Sequence, residues 1–274
     1  MAAIKTLADN RPVAFVFLAL MTWVLLGAGL VFGSAAVLQL PVADMAPQMI
    51  GTLGAVLILL VIAGRMRWLH AIGLTRLGGW QVWLITLPLL GYMVVAYLYG
   101  FFGDIGFDFG IFARSSFARD LLMRQSVVGF VEETLFRGIV LYALVRVWGH
   151  SKRGLMAAVV VQAMLFGVYH LLQSTVGVPL MVVLLVIVNC ILSGLWWGAL
   201  VVRWGSLWPV IVLHSLSNLA VQVKSLTSAS IEPVAMGYIR GTLLELPLVI
   251  FGVWLLLRMS LDSKNTVPEF ASQV

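Results

Sequence analysis

Hydrophobic positions in this chain fall in long runs separated by short polar segments, and eight such runs can be marked: 13–40, 46–63, 81–103, 125–148, 155–172, 180–202, 207–223 and 239–257. The first, Val13 to Leu40, holds 28 residues without a formal charge. A helix rising 1.5 Å per residue needs about 20 apolar residues to cross a hydrocarbon core of roughly 30 Å. Several runs lack the alternation of a barrel strand, and an open sheet would leave unpaired edge groups in lipid. The pattern therefore predicts an all-α membrane protein of about eight transmembrane helices. Lys5 and Arg11 precede the first run as they would in a signal peptide, but the run is too long for one, so a retained first span is expected.

Composition agrees, since 62% of the residues are apolar and only 10% are charged. A soluble globular chain has about 45–50% and about 25%. The net charge of +6 does not sit in one basic block. It recurs in short loops, which is how orientation is encoded, and nucleic-acid binding is not expected. By alternation one side collects eleven basic residues (Lys5, Arg11, Arg65, Arg67, Arg76, Arg146, Lys152, Arg153, Arg203, Arg258 and Lys264) against Asp9, Asp262 and Glu269. The other side has five basic and five acidic residues. Both termini are thus expected to be cytoplasmic, with His70 and His150 solvated in the inner loops. Trp68, Trp80, Trp148, Trp204 and Trp208 flank those same loops, as interfacial rings would.

Three divisions follow: 1–124, with spans 1–3 and a connecting loop; 125–257, a core of spans 4–8; and 258–274, a cytoplasmic tail. Residues 104–124 are read as a solvated loop, with an interfacial helix as the alternative. Gly194 and Gly198 form a GxxxG pair in span 6, where a second helix can approach closely. The lone Cys190 permits neither an internal disulfide nor a thiolate cluster and is expected to be a small buried residue.

Against this apolar background, span 4 carries Glu132, Glu133 and Arg137. Three ionised groups there would cost roughly 8–10 kcal/mol if unpaired. Glu133 and Arg137 are four apart and can pair within the helix, while Glu132, rotated by about 100°, faces elsewhere. Phe166 and His170 are four apart near the end of span 5, and His214 and Asn218 are four apart in span 7. A carboxylate, two imidazoles and an amide on three helices satisfy one another if they converge on a polar intramembrane cavity formed by spans 4, 5 and 7. Glu245 in span 8 is a further buried carboxylate. It is expected either to pair with span 4 or span 7 or to reach the interface. Asn189 and Ser193 in span 6 read as polar glue between helices.

These three pairs resemble the CPBP family of intramembrane peptidases, which includes the type II CAAX prenyl endopeptidases and bacteriocin-processing enzymes. The family pattern is EExxxR, FxxxH and HxxxN, each on a membrane helix. Here the matching residues are Glu132-Glu133-Thr134-Leu135-Phe136-Arg137, Phe166-Gly167-Val168-Tyr169-His170 and His214-Ser215-Leu216-Ser217-Asn218, in that order. The resemblance implies an endopeptidase acting on a membrane-associated peptide or protein. Glu132 would activate water, His170 would position it, and His214 and Asn218 would stabilise the oxyanion. Phe166 would fix the His170 ring, and Glu133–Arg137 would be structural. A metal-independent glutamate mechanism without cofactor is implied. The alternative is a zinc site of Glu132, His170 and His214 with an open fourth position. A proton-coupled transporter and a non-catalytic immunity or scaffold protein are the competing readings, but the internal symmetry expected of a transporter is not evident.

Overall fold

The computed structural model describes residues 2–102, 115–223 and 234–259. Each of the eight apolar runs lies on a helix. In chain order the elements are α1 (Ala2–Asn10), α2 (Pro12–Leu38), α3 (Met45–Arg65), α4 (Trp80–Phe102), α5 (Ser115–Glu133), α6 (Leu141–Trp148), α7 (Lys152–Tyr169), α8 (Leu180–Trp204), α9 (Trp208–Val223) and α10 (Val234–Arg258). A π-helical turn, Thr134–Val140, joins α5 to α6, and a 3₁₀ turn, His170–Val176, continues α7. Among the described residues five helical stretches are long and apolar enough to cross a membrane: Pro12–Leu38, Met45–Arg65, Lys152–Thr175, Leu180–Trp204 and Met236–Arg258.

The apolar side chains face two ways. Phe17, Leu25 and Phe32 on α2, Leu57 and Val61 on α3, and Ile250 on α10 are exposed, a pattern suited to lipid rather than water. The continuous α5–π–α6 stretch is the opposite case. From Thr134 to Val145 every residue is buried, which makes this the central helix. α3 and α9 pack against α5; α7 packs against α6 and α8; and α10 packs against α8 and α4. The most polar span is thus the one best shielded from lipid.

Gly194 shows how closely α7 and α8 approach. A Cβ there would stand 2.8 Å from the Ala163 Cα, and one at Gly198 would stand 3.0 Å from Gln162 Oε1. Only residues this small let the two backbones approach so near.

Several sequence expectations are corrected. The N-terminal residues, read only as a basic flank, form a helix whose Asp9 pairs with Arg146. Trp68 is not an interfacial ring: it is buried between Phe15 and Tyr142, both in edge-to-face contact with it. The loop expected over 104–124 ends earlier, since α5 begins at Ser115; the division at 124/125 therefore falls inside a helix. Residues 103–114 and the tail beyond 259 lie outside the described residues.

The loops rich in Lys and Arg meet at one end of the bundle. Arg146 lies over the Trp68 ring, Lys152 Nζ donates to the Leu257 carbonyl, and Trp208 Nε1 donates to the Leu74 carbonyl. The turn after α3 belongs to this end too. There Trp68 N bonds Ala63 O and Arg67 N bonds Gly64 O, a Schellman closure. Its left-handed position, usually glycine, is held by Arg67 at φ 61°. For a residue with a Cβ that conformation costs about 1–2 kcal/mol.

Candidate active site

The site begins where α5 meets α9. A Cβ on Gly129 would lie 2.3 Å from Ser215 Oγ and 3.0 Å from the Ser215 amide nitrogen. Glycine at 129 is therefore what lets the two backbones touch. One turn further along α5, the contact brings Glu132 and Glu133 to His214.

His214 is held on both ring nitrogens. Nδ1 lies 2.7 Å from Glu133 Oε1, and Nε2 lies 3.7 Å from Glu132 Oε2. The same Glu133 oxygen is 2.9 Å from Arg137 Nη1, within an ion pair whose two side chains are fully buried. The contact is close, but its angle falls short of a hydrogen bond, and Arg137 Nε and Nη2 have no hydrogen-bond partner among the described residues. Aromatic faces supply what hydrogen bonds do not. The guanidinium sits 4.0 Å from the Phe166 ring centre and 5.1 Å from that of Trp197, a favourable place for a desolvated cation. Phe166 in turn meets His170 edge-on at 4.9 Å and His214 at 5.9 Å.

His170 starts the 3₁₀ turn, with its Nδ1 2.8 Å from the Phe166 carbonyl oxygen. A carbonyl only accepts, so Nδ1 carries the hydrogen, and the other side of the ring faces the cavity, where the Cys190 thiol is a hydrogen-bond partner. That cavity, of about 490 Å³, is lined by Glu132, Phe166, His170, His214 and Asn218 together with Cys190 and Trp197. Its rim includes Arg124, Gln125 and Gln173. On the other flank of α5 a second cavity of about 190 Å³ reaches Glu132 between Trp23, Gln48 and Tyr169. Glu132 therefore stands in the wall between two spaces, with its side chain 14% exposed.

The structure thus brings Glu132, His170, His214 and Asn218 to one cavity, with Phe166 behind them. Glu133 and Arg137 are in contact as their spacing allows, but Glu133 also binds His214, so the pair adjoins the site instead of standing apart. Glu245 does not line the cavity itself but lies behind its wall, bound to Asn189 and Ser193, which do line it. Its carboxylate accepts hydrogen bonds from Asn189 Nδ2 at 3.0 Å, Ser193 Oγ at 2.6 Å and Trp196 Nε1 at 2.7 Å, all on α8. These hydrogen-bond partners lie on α8, and the carboxylate also acts through its charge on Arg137 of the central helix. The interface is ruled out, since Glu245 is 1% exposed.

Glu132, His170 and His214 are the residues that would hold a zinc ion. Among the described residues no three His, Cys, Asp or Glu side chains gather closely enough to hold one, and His214 Nδ1 is already taken by Glu133. Sequence reasoning missed Trp197, whose ring lies 4.8 Å from that of His214, and the place of Cys190 in the cavity wall. The available signal was the Trp196-Trp197 pair, two large amphipathic rings inside an apolar span.

Residues 114–220 match the family model described as type II CAAX prenyl endopeptidase Rce1-like. No curated protein and no solved structure matches the chain. The matched stretch spans α5 to α9 and contains every cavity residue named in the three sequence motifs, while Glu245 falls beyond it. Over residues 114–220 the chain is thus similar to the Rce1-like type II CAAX prenyl endopeptidases, and this match supports the CPBP resemblance carried by the three motifs.

Proposed function

We propose that the protein is an intramembrane endopeptidase that hydrolyses a peptide bond of a membrane-associated substrate in the cavity between α5, α7, α8 and α9. The observation that carries this reading is the meeting of Glu132, His170, His214 and Asn218 around one cavity, inside the segment that matches the family. The central span, α4 and α9 cross the bilayer beside the five long apolar helices, which gives eight crossings.

Glu132 is the general base. Its carboxylate takes a proton from a water molecule as the water oxygen attacks the scissile carbonyl carbon. His170, with Nδ1–H given to Phe166, offers the Nε2 lone pair to the same water and so orients it. The tetrahedral intermediate carries its charge on the former carbonyl oxygen. Asn218 supplies an amide N–H there, and His214 supplies an Nε2–H. Because His214 Nδ1–H is committed to Glu133, a second N–H means the doubly protonated ring, whose charge is set against Glu132 and Glu133. Glu132 then returns the proton to the leaving amine, the C–N bond breaks, and the carboxylate is regenerated. No step is routed through a metal.

Cleavage of a quenched peptide by detergent-purified protein tests this. Glu132→Gln should retain the wild-type melting temperature and lose at least about 10²-fold in turnover, the low end for a positioned base. Chelation should leave wild-type turnover unchanged. Near-normal activity in folded Glu132→Gln rejects the base assignment, and loss on chelation restored by stoichiometric zinc replaces the glutamate mechanism with a metal one.

A further inference from the structure

At the basic end of the bundle, away from the active-site cavity, two recesses adjoin. The first, of about 220 Å³, runs between α1, α2, α3 and the central helix, and its walls are Ile4, Leu7, Phe15, Leu59, Ile62 and Ile139 among other largely apolar residues. The second, of about 260 Å³, is lined by Ala2, Lys5, Arg65, Met66 and Arg67. Met66 borders both. One face of α1 serves the apolar recess through Ile4 and Leu7, and another serves the basic recess through Ala2 and Lys5. The Asp9–Arg146 pair fixes α1 to the central helix, so Lys5 is held near the end of α3.

Three like charges converge on the second recess, and among the described residues no acidic one lines it. All three are exposed, so water weakens their mutual repulsion, and an anion among them relieves what remains. Arg67 adds to the case, because the Schellman turn calls for glycine at its position and the chain carries a cation there instead. A small anion would account for the cations but not for the apolar chamber that opens beside them. A molecule with a phosphate at one end and a hydrocarbon chain at the other accounts for both.

We propose that this composite recess binds one anionic glycerophospholipid, its phosphodiester at Lys5, Arg65 and Arg67 and one acyl chain along the apolar recess. Basic pockets between membrane helices take acidic headgroups by the same electrostatics, and zwitterionic lipids gain little from them.

The test uses the full chain in neutral detergent, titrated with phosphatidylglycerol and phosphatidylcholine in competition and read by native mass spectrometry. Phosphatidylglycerol should be retained at least about tenfold over phosphatidylcholine, given three cations near the headgroup. The triple variant Lys5→Gln/Arg65→Gln/Arg67→Gln should lose that preference, and Arg153→Gln/Arg203→Gln, at the same end but outside the recess, should keep it. Arg67→Gly is the safeguard against misfolding, since glycine suits the left-handed turn. It should melt no lower than wild type and still show a weakened preference. The proposal is overturned if wild type does not discriminate, if the triple variant or Arg67→Gly discriminates as well as wild type, or if Arg153→Gln/Arg203→Gln loses the preference too. It is also overturned if glycerol 3-phosphate displaces the lipid as well as phosphatidylglycerol does, because the acyl chain would then contribute nothing.

Discussion

Arg137 is buried with one carboxylate contact, two aromatic faces and no hydrogen bond from Nε or Nη2. A charge so placed is stable only while Glu133 remains, and Glu133 in turn holds His214. The ion pair therefore reaches function through the imidazole. Removing one partner of a buried pair costs roughly 3–5 kcal/mol, because the other charge stays without compensation. We expect Arg137→Ala to lower the yield of folded protein and its melting temperature by that mechanism. Adding Glu133→Ala should recover part of the loss and not all of it, since His214 Nδ1 then has no acceptor. Detergent unfolding of the two single variants and the double variant checks this. A double variant no more stable than either single one would mean that the pair is not coupled.

At the scale of elements, the decisive contact is α5 against α9 at Gly129. Gly129→Ala places a methyl group 2.3 Å from Ser215 Oγ and 3.0 Å from a backbone nitrogen. The hydroxyl can turn away; the backbone cannot, so the helices must separate. Overpacking of this kind costs about 1–3 kcal/mol, and the displacement of Glu132 from His214 should lower turnover as well. Ser215→Ala in the same chain should restore only part of either quantity. Wild-type melting and turnover in Gly129→Ala would remove the close approach from the account. Much of this arrangement was legible beforehand. Glu132, His170, His214 and Asn218 announced themselves because polar groups in apolar runs must find each other, and the helices because the runs have the right length. The π turn after Glu133 was not legible, because an extra residue in a helical turn leaves no period in the sequence. Nor was the start of α5, since Arg119, Asp120 and Arg124 read as loop by composition. The partners of Glu245 depend on which helices are neighbours, and that is set by packing across the bundle, not by the order of spans.

For the molecule as a whole, the question is which end of the cavity faces the cytoplasm. Counted from the start of its apolar run at residue 125, Glu132 would stand about seven residues into the span, roughly 10 Å from that end. The helix instead begins at Ser115 and runs through the π turn to Trp148, so Glu132 stands near its middle. Gly138 lies against Leu207 and Ile72, within the basic end, and Glu132 is only six residues, about 9 Å, from that level. Yet the cavity rim at Arg124, Gln125 and Gln173 lies toward the opposite end. Depth thus favours the basic end while the opening favours the other, a deep well entered from the side with fewer cations. An excess of Lys and Arg marks the cytoplasmic side, so we expect the well to open away from the cytoplasm, whereas a CAAX-type enzyme that takes cytosolic tails would open toward it. Single cysteines in a Cys190→Ala background decide between them. Ser174 and Ser151 are both exposed and lie at opposite ends. On intact cells a membrane-impermeant maleimide should label Ser174→Cys and leave Ser151→Cys untouched until the membrane is permeabilised. The reverse pattern would invert the topology and open the site to cytosolic peptide.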